Sequence, residues 1–359
     1  MFNFNVGALR PAKDGARAQS ITAANDLVQR TLAQHGLWPN GGADLPAQAP
    51  MTGLPGLSGL TAGLRPAAQK LPLPNGAVFS SLSHTGRSGT RNYRVYIPAS
   101  ASGGIAGIVL MLHGCTQTPE DFATGTGMNA QAELHRLVVI YPEQSRGANA
   151  QTCWNWFSKG DQRRDRGEPE ILAGITRKAM DDHDVPASRV FVAGLSAGAA
   201  MAVILGETYP DIFAAVGAHA GLPYGAASDV PSAFAAMAGT VQQTQARTAT
   251  KGIRTITFHG TADRTVVPAN SAAILRHATG AATNTIETTE KGSANGRNFQ
   301  RSLTSNSKGQ VLTEDWLIDG LGHAWSGGDK AGSYADPSGP DASAEMIRFF
   351  LDQPKDVTP

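Results

Sequence analysis

Residues 190–207 read VFVAGLSAGAAMAVILGE, and the organisation of the chain follows from this stretch. Val190–Leu195 is an unbroken apolar run of the kind a strand covered on both faces requires. Ala197–Glu207 is Ala-rich and predicts a helix. Between them stands Gly194-Leu195-Ser196-Ala197-Gly198, a G-x-S-x-G pentapeptide with a strand before it and a helix after it. A turn this sharp lifts Ser196 above the sheet in a strained backbone conformation, where only small flanking residues fit. The new helix turns free backbone N–H groups and its positive end toward the serine oxygen. Strand, elbow and helix together point to Ser196 as a nucleophile rather than as part of an ordinary tight turn.

Outward from this unit, strands and helices alternate. Upstream, RNYRVYIP (91–98) alternates as an exposed edge strand does, and GIVLMLH (107–113) is again continuously apolar. A helical stretch near 121–135, the strand LVVIY (137–141) and a helix over 170–182 follow. Downstream come strands at 213–218, IRTITFH (253–259) and 311–318, then a closing helix at 342–351. Such alternation predicts a mostly parallel central sheet with helices on both faces. In these sheets, reactive groups gather beyond the carboxyl ends of the strands.

A serine nucleophile needs a base, and on this kind of elbow the chain order is serine, acid, histidine. Four histidines follow Ser196. His219 ends the next strand, too early for the base; His259 orders its own loop; His277 lies on a helical stretch and is expected to be solvated. His323 sits in GLGHAWSGG, between the last strand and the last helix, and is the expected base. Asp263, in HGTADRTVVP beyond the preceding strand, is the expected acid, with Asp319 as the rival that ends its own strand. The acid would accept the Nδ1–H of His323 and stabilise the imidazolium. Acyl transfer also needs two N–H donors for an oxyanion. Ala197 supplies one; Cys115, after GIVLMLH, is the candidate for the other, with Thr116 second. Trp154 and Trp156 in CWNWF, and Trp325 beside His323, are candidate walls of an apolar acyl or aryl pocket, core packing being the competing use.

Composition narrows the classes of function. The 359 residues carry 30 Lys+Arg against 29 Asp+Glu, a net charge of +1. No field of that size recruits nucleic acid or an anionic membrane. There are 41 Gly and 21 Pro without a collagen period. The two cysteines exclude a disulfide scaffold and a cysteine-based metal site, leaving either one bridge or two thiols. No metal-ligand or nucleotide-binding motif occurs, so neither metal nor cofactor is expected. The organisation read from these patterns is an N-terminal helical arm and Pro/Gly-rich linker (1–75), a catalytic domain (76–353) and a short tail (354–359). The arm holds Ile21, Ala24, Val28 and Leu32 at helical spacing and serves either for packing or for contact with an apolar particle. No secretory leader and no membrane-spanning run is read, which gives a cytoplasmic expectation and favours reduced thiols.

Several separated segments resemble one family. LMLHGCTQTPEDFATGTGMNAQAE, YPEQSRGANAQTCWNWF, GLSAGAAMAVILGETYPDIFAAVGAHAGLPYG and GLGHAWSGG are similar, in the same order, to the polyhydroxybutyrate depolymerase-type esterases, relatives of feruloyl and acetylxylan esterases. The resemblance spans about residues 77–353. It implies an α/β-hydrolase fold, a Ser196–Asp263–His323 triad and a bridged Cys115–Cys153 pair near the site. It also implies the extracellular or periplasmic location of many such esterases as the alternative compartment. The expected function is hydrolysis of hydroxyalkanoate esters or oligomers through an acyl-enzyme. Feruloyl or acetyl esters of plant polysaccharide are the second substrate class, and a non-catalytic granule-surface protein is the contrasting reading. An ester is the only partner expected, and oligomeric state is left open.

Overall fold

The computed structural model describes residues 73–240, 252–280 and 282–352. The expected N-terminal helix, nearly all of the linker and the tail lie outside the described residues. Ten strands form one sheet. Strands β1 (Val78–Gly86), β2 (Gly89–Ile97), β3 (Gly107–Leu112), β4 (Leu137–Pro142) and β5 (Val190–Leu195) make its first half. Strands β6 (Ala215–His219), β7 (Arg254–Gly260), β8 (Ile286–Ala294), β9 (Arg297–Ser305) and β10 (Val311–Ile318) make the second. Their spatial order is β1-β2-β4-β3-β5-β6-β7-β10-β9-β8. The six strands from β4 to β10 run parallel, and antiparallel pairs flank them on both sides.

The helices are α1 (Pro119–Thr126), α2 (Met128–His135), α3 (Gly167–His183), α4 (Ala197–Thr208), α5 (Val230–Met237), α6 (Ala269–Thr279) and α7 (Ala342–Leu351). Every residue of β3, β4 and β5 is buried, as continuous apolar runs demand of strands covered on both faces. The core divides into two clusters, one on each face of the sheet. The first gathers Leu110, Ile140 and Val192 with α3 and α4; the second gathers Val109, Val139 and Phe191 with α2 and α7. Among the described residues no helix is long and apolar enough to cross a membrane.

The structure refines the expected pattern in four places. RNYRVYIP is not an edge strand: β1 pairs with β2 over its whole length and takes the edge. The helical stretch near 121–135 is two helices, broken at Gly127 in a left-handed conformation (φ 63°). The hairpin β8–β9 extends the sheet beyond β10, where no strand was expected. Helix α5 likewise has no counterpart in the expected pattern. It begins at Asp229, whose side chain accepts from the Ser232 N–H in a capping box.

Parallel register brings the strand ends level. Leu112 pairs with Gly194, Leu195 with His219, and Gly260 with Ile318. The loops carrying Cys115, Ser196, Asp263 and His323 therefore leave the sheet together at the carboxyl ends of its parallel strands.

Candidate active site

Ser196 is the hinge between β5 and α4, with φ 57° and ψ −119°. An L-residue holds such a conformation only where its surroundings over-determine it. Its N–H donates to the His219 carbonyl (2.9 Å), and its carbonyl accepts the Ala200 N–H (3.0 Å) as the first turn of α4 closes. The flanking glycines answer to close packing. A Cβ at Gly198 would collide with the carbonyls of Leu112 and His113, and one at Gly194 with the backbone of Gly198 and Leu112. The N–H of Ala197, at the first position of α4, is free of any capping side chain.

Asp263 and His323 meet. The Nδ1–H of His323 donates to Asp263 Oδ2 at 2.7 Å, and the aspartate side chain is wholly buried. Asp263 Oδ1 accepts the N–H groups of Thr265 (2.9 Å) and Val266 (3.0 Å). Burial pushes this carboxyl upward, but His259, whose Nε2 lies 3.5 Å from Oδ2, together with the hydrogen bonds from His323 and the Val266 N–H, outweighs it and holds Asp263 well below the usual carboxylate range. It is therefore an anion at neutral pH. His259 has the loop-ordering place expected of it: Nε2 donates to the Val266 carbonyl (2.7 Å), and Nδ1 bonds Ser271 Oγ (3.0 Å). Asp319 stands past the end of β10, its N–H on the Asn298 carbonyl, and is exposed. His277 departs from expectation. It is buried, with Nε2 3.1 Å from Glu207 Oε2, because α6 turns that face onto α4 rather than toward water.

His219 proves to be a strut. Its imidazole stacks on Trp325 and Phe258 (ring centroids 5.1 and 5.7 Å apart), and its Nε2 accepts the N–H of Ser326 (3.0 Å). Burial, then the neighbouring His259 and His323, push its pKa down to about 3. A neutral ring thus ties the His323 loop to the strand whose carbonyl holds Ser196.

On the other side, the loop after β3 supplies the candidate oxyanion donor. The Gly114 N–H donates to Gln117 Oε1 (2.9 Å), and the Thr116 N–H to the Gln151 carbonyl (2.8 Å). The Cys115 N–H between them makes no hydrogen bond to any described residue. Cys115 is bridged to Cys153, with Cα atoms 4.2 Å apart. The partner loop rests on buried polar groups. Glu168 accepts from Asn155 N and Nδ2 (2.8 Å each) and from Gln144, whose Nε2 also donates to the Cys153 carbonyl (2.9 Å). Arg91 lies 3.8 Å from Glu168. Burial is the main reason the Glu168 carboxyl is pushed up to about 7, with Asp161 adding to it.

Trp154 and Trp325, expected as pocket walls, are 0% and 1% exposed. The Trp154 Nε1–H donates to the His113 carbonyl (3.1 Å), and the Trp325 Nε1–H to Ser343 Oγ (3.2 Å). Trp156 is also buried, edge-on to Phe157. All three are buried in the core clusters, which is the core-packing use. Among the described residues no group of three or more His, Cys, Asp or Glu side chains is gathered closely enough to hold a metal ion. Sequence reasoning passed over Gln117, Gln144, Glu168 and the strut role of His219. Polar residues in loops carry no periodic signal that marks them as buried.

The strand order, the strained serine between β5 and α4, and an acid and a histidine beyond two later strands define the α/β-hydrolase class. Within it, the chain belongs to the family described as Esterase PHB depolymerase, which matches residues 91–284. It is 34% identical over 229 residues to the poly(3-hydroxyalkanoate) depolymerase C of Paucimonas lemoignei, covering 61% of this chain and 55% of that one. It is 33% identical over 134 residues to acetylxylan esterase A of Emericella nidulans, covering 37% of this chain and 43% of that one. The chain thus spans about half the length of these sequence relatives. Among solved structures, an acetyl xylan esterase from Aspergillus awamori shares the fold with a TM-score of 0.59 at 20% identity, over 76% of this chain and 98% of that one.

Proposed function

We propose that this protein is a serine ester hydrolase. Ser196 Oγ attacks the ester carbonyl while His323 Nε2 takes its proton, and Asp263 holds the imidazole in the tautomer that leaves Nε2 free. The tetrahedral oxyanion rests on the N–H groups of Cys115 and Ala197. On collapse, His323 returns the proton to the departing alcohol and the acyl group stays on Ser196. Water, deprotonated by His323, then attacks the acyl-enzyme, and the acid leaves with Ser196 restored. The observation that carries the reading is the 2.7 Å bond from His323 to a buried, anionic Asp263, level with a serine in a strained elbow.

Hydroxyalkanoate esters or oligomers are the first substrate class, in keeping with the depolymerase relatives of Paucimonas lemoignei and Ralstonia pickettii. Acetyl or feruloyl esters of polysaccharide are the second, supported by the acetylxylan esterase relatives. The Cys115–Cys153 bridge favours an oxidising, extracellular or periplasmic setting over a cytoplasmic one. The test is hydrolysis of p-nitrophenyl butyrate by the wild type and Ser196→Ala. The variant is expected to lose roughly 10³-fold or more; wild-type turnover by Ser196→Ala would overturn the mechanism. Relative kcat/KM on 3-hydroxybutyrate oligomers, acetylated xylan and methyl ferulate then separates the substrate readings.

A further inference from the structure

The loop after β3 and the loop after β10 are separated by three strands of the sheet, yet they are joined directly. Gln117 is buried at the crossing. Its Oε1 accepts the Gly114 N–H (2.9 Å), and its Nε2 donates to the Ser333 carbonyl (2.9 Å) and to Asp121 Oδ2 (3.0 Å). The same carboxylate accepts from the Ser333 N–H (2.9 Å) and from Ser333 Oγ. Beside this knot, Thr116 Oγ1 and the Tyr334 phenol share a hydrogen bond of 3.3 Å. Thr116 and Tyr334 both hold left-handed backbone (φ 66° and 51°), so the rung joins two strained positions. Residues 333–336 are in turn strapped to the histidine loop. The Trp325 N–H donates to the Tyr334 carbonyl (2.7 Å), and Trp325 and Ser326 pair with Ala335 and Asp336.

We propose that Gln117 is the positioning residue of the oxyanion hole. Its amide does two things at once. By taking the Gly114 N–H, while Gln151 takes that of Thr116, it leaves the Cys115 N–H uncommitted between two committed neighbours. By holding Ser333, it fixes that donor relative to His323, which lies 206 residues beyond Gln117 in the chain. Both roles need one amide orientation, since Gly114 and Ser333 demand an acceptor and a donor respectively. The inference rests on reading Ser196 as the nucleophile and Cys115 as an oxyanion donor. A donor set that drifts by even one ångström stabilises the tetrahedral state poorly while scarcely touching ground-state binding.

The experiment uses the full chain, p-nitrophenyl butyrate as substrate and phenylboronic acid as a mimic of the tetrahedral state. Rates are expressed per site titrated with a fluorophosphonate. In Gln117→Leu, kcat per titrated site is expected to fall about 10²-fold and boronate affinity by a similar factor, with KM within about threefold. Gln117→Glu keeps an acceptor for Gly114 but sets a carboxylate against Asp121 and the Ser333 carbonyl, so it should fall alongside. Ser333→Ala removes only the Oγ contacts and serves where the Gln117 variants fail to fold; it should lose kcat and boronate affinity together, by about three- to tenfold. A purely structural role would lower thermal stability or the titratable fraction and leave kcat per site and boronate affinity at wild-type values. That result, in any of these variants, overturns the proposal. Retained hydrolysis by Ser196→Ala would instead overturn the serine-esterase reading on which it stands.

Discussion

Replacing Asp263 by Asn tests the triad more sharply than deleting it, because the structure dictates which way the amide must face. Oδ1 accepts two backbone N–H groups, from Thr265 and Val266, while Oδ2 accepts the Nδ1–H of His323. Turning an amide so that NH2 faces the backbone would set donor against donor at the buried Val266 N–H and the half-buried Thr265 N–H, at about 1–3 kcal/mol each at most. The introduced asparagine is therefore locked with its oxygen toward the backbone and its NH2 toward His323. The imidazole must then accept at Nδ1 and carry its proton on Nε2, the nitrogen that should receive the Ser196 proton. The expected loss in kcat is about 10⁴-fold, or about 5 kcal/mol, with KM nearly unchanged. Asp263→Ala lets the ring choose its tautomer and should be no worse than Asn, although it orphans the same two N–H groups. Steady-state kinetics on p-nitrophenyl butyrate, corrected for active-site content, decide it. If Asp263→Asn kept more than about a tenth of wild-type kcat, the tautomer argument and the assignment of Asp263 would both fail.

Removing the bridge with Cys115→Ala/Cys153→Ala frees a loop of 38 residues, which chain entropy sets at about 4 kcal/mol. Tm should drop by roughly 10 °C, and a shift under about 2 °C would contradict this. Glu168 predicts a stability trend with pH. Its carboxyl is raised from 4.5 to about 7 in the folded state, so the fold binds the protonated form more tightly. Stability from this group is present in full below the unfolded value and is lost as pH rises through about 7. Between pH 5 and 8 the loss is about 2–3 kcal/mol. Urea unfolding at the two pH values should show this extra slope in the wild type and not in Glu168→Gln; equal slopes would refute it. Trp154→Phe deletes the indole N–H that holds the His113 carbonyl and should destabilise by about 1–3 kcal/mol. As a support rather than a wall, Trp154 should leave the ratio of kcat/KM between hydroxybutyrate and feruloyl esters unchanged.

How much of the fold could be read in advance depended on which faces of each element are dry. Strands β3, β4 and β5 are covered on both sides, and their unbroken apolar runs announced them to within a residue. Strands β1 and β8, VFSSLSHTG and IETTEKGSA, are largely exposed. They are held by backbone ladders to β2 and β9, and a ladder leaves no mark on side-chain polarity. The same reasoning explains the misplaced edge. Alternation in RNYRVYIP records one buried and one wetter face, which a strand can have whether or not another strand lies beyond it.

At the candidate site, the placement of Ser196, Asp263 and His323 just beyond strand ends is legible from a local pattern: an apolar run that ends, then a turn containing glycine. What holds them is not, because its partners lie far apart in the chain. Gln117 and Ser333 are 216 residues apart, and each alone is an ordinary polar residue in a loop. A base cannot stand at the end of β6, and nothing local in the sequence marks His219 as a strut. The aromatics show the converse. Trp154 and Trp325 stand next to the chemistry in sequence, yet their indole N–H groups are spent on His113 and Ser343. Proximity along the chain identifies what can react; only the pairing of buried donors and acceptors identifies what keeps it in register.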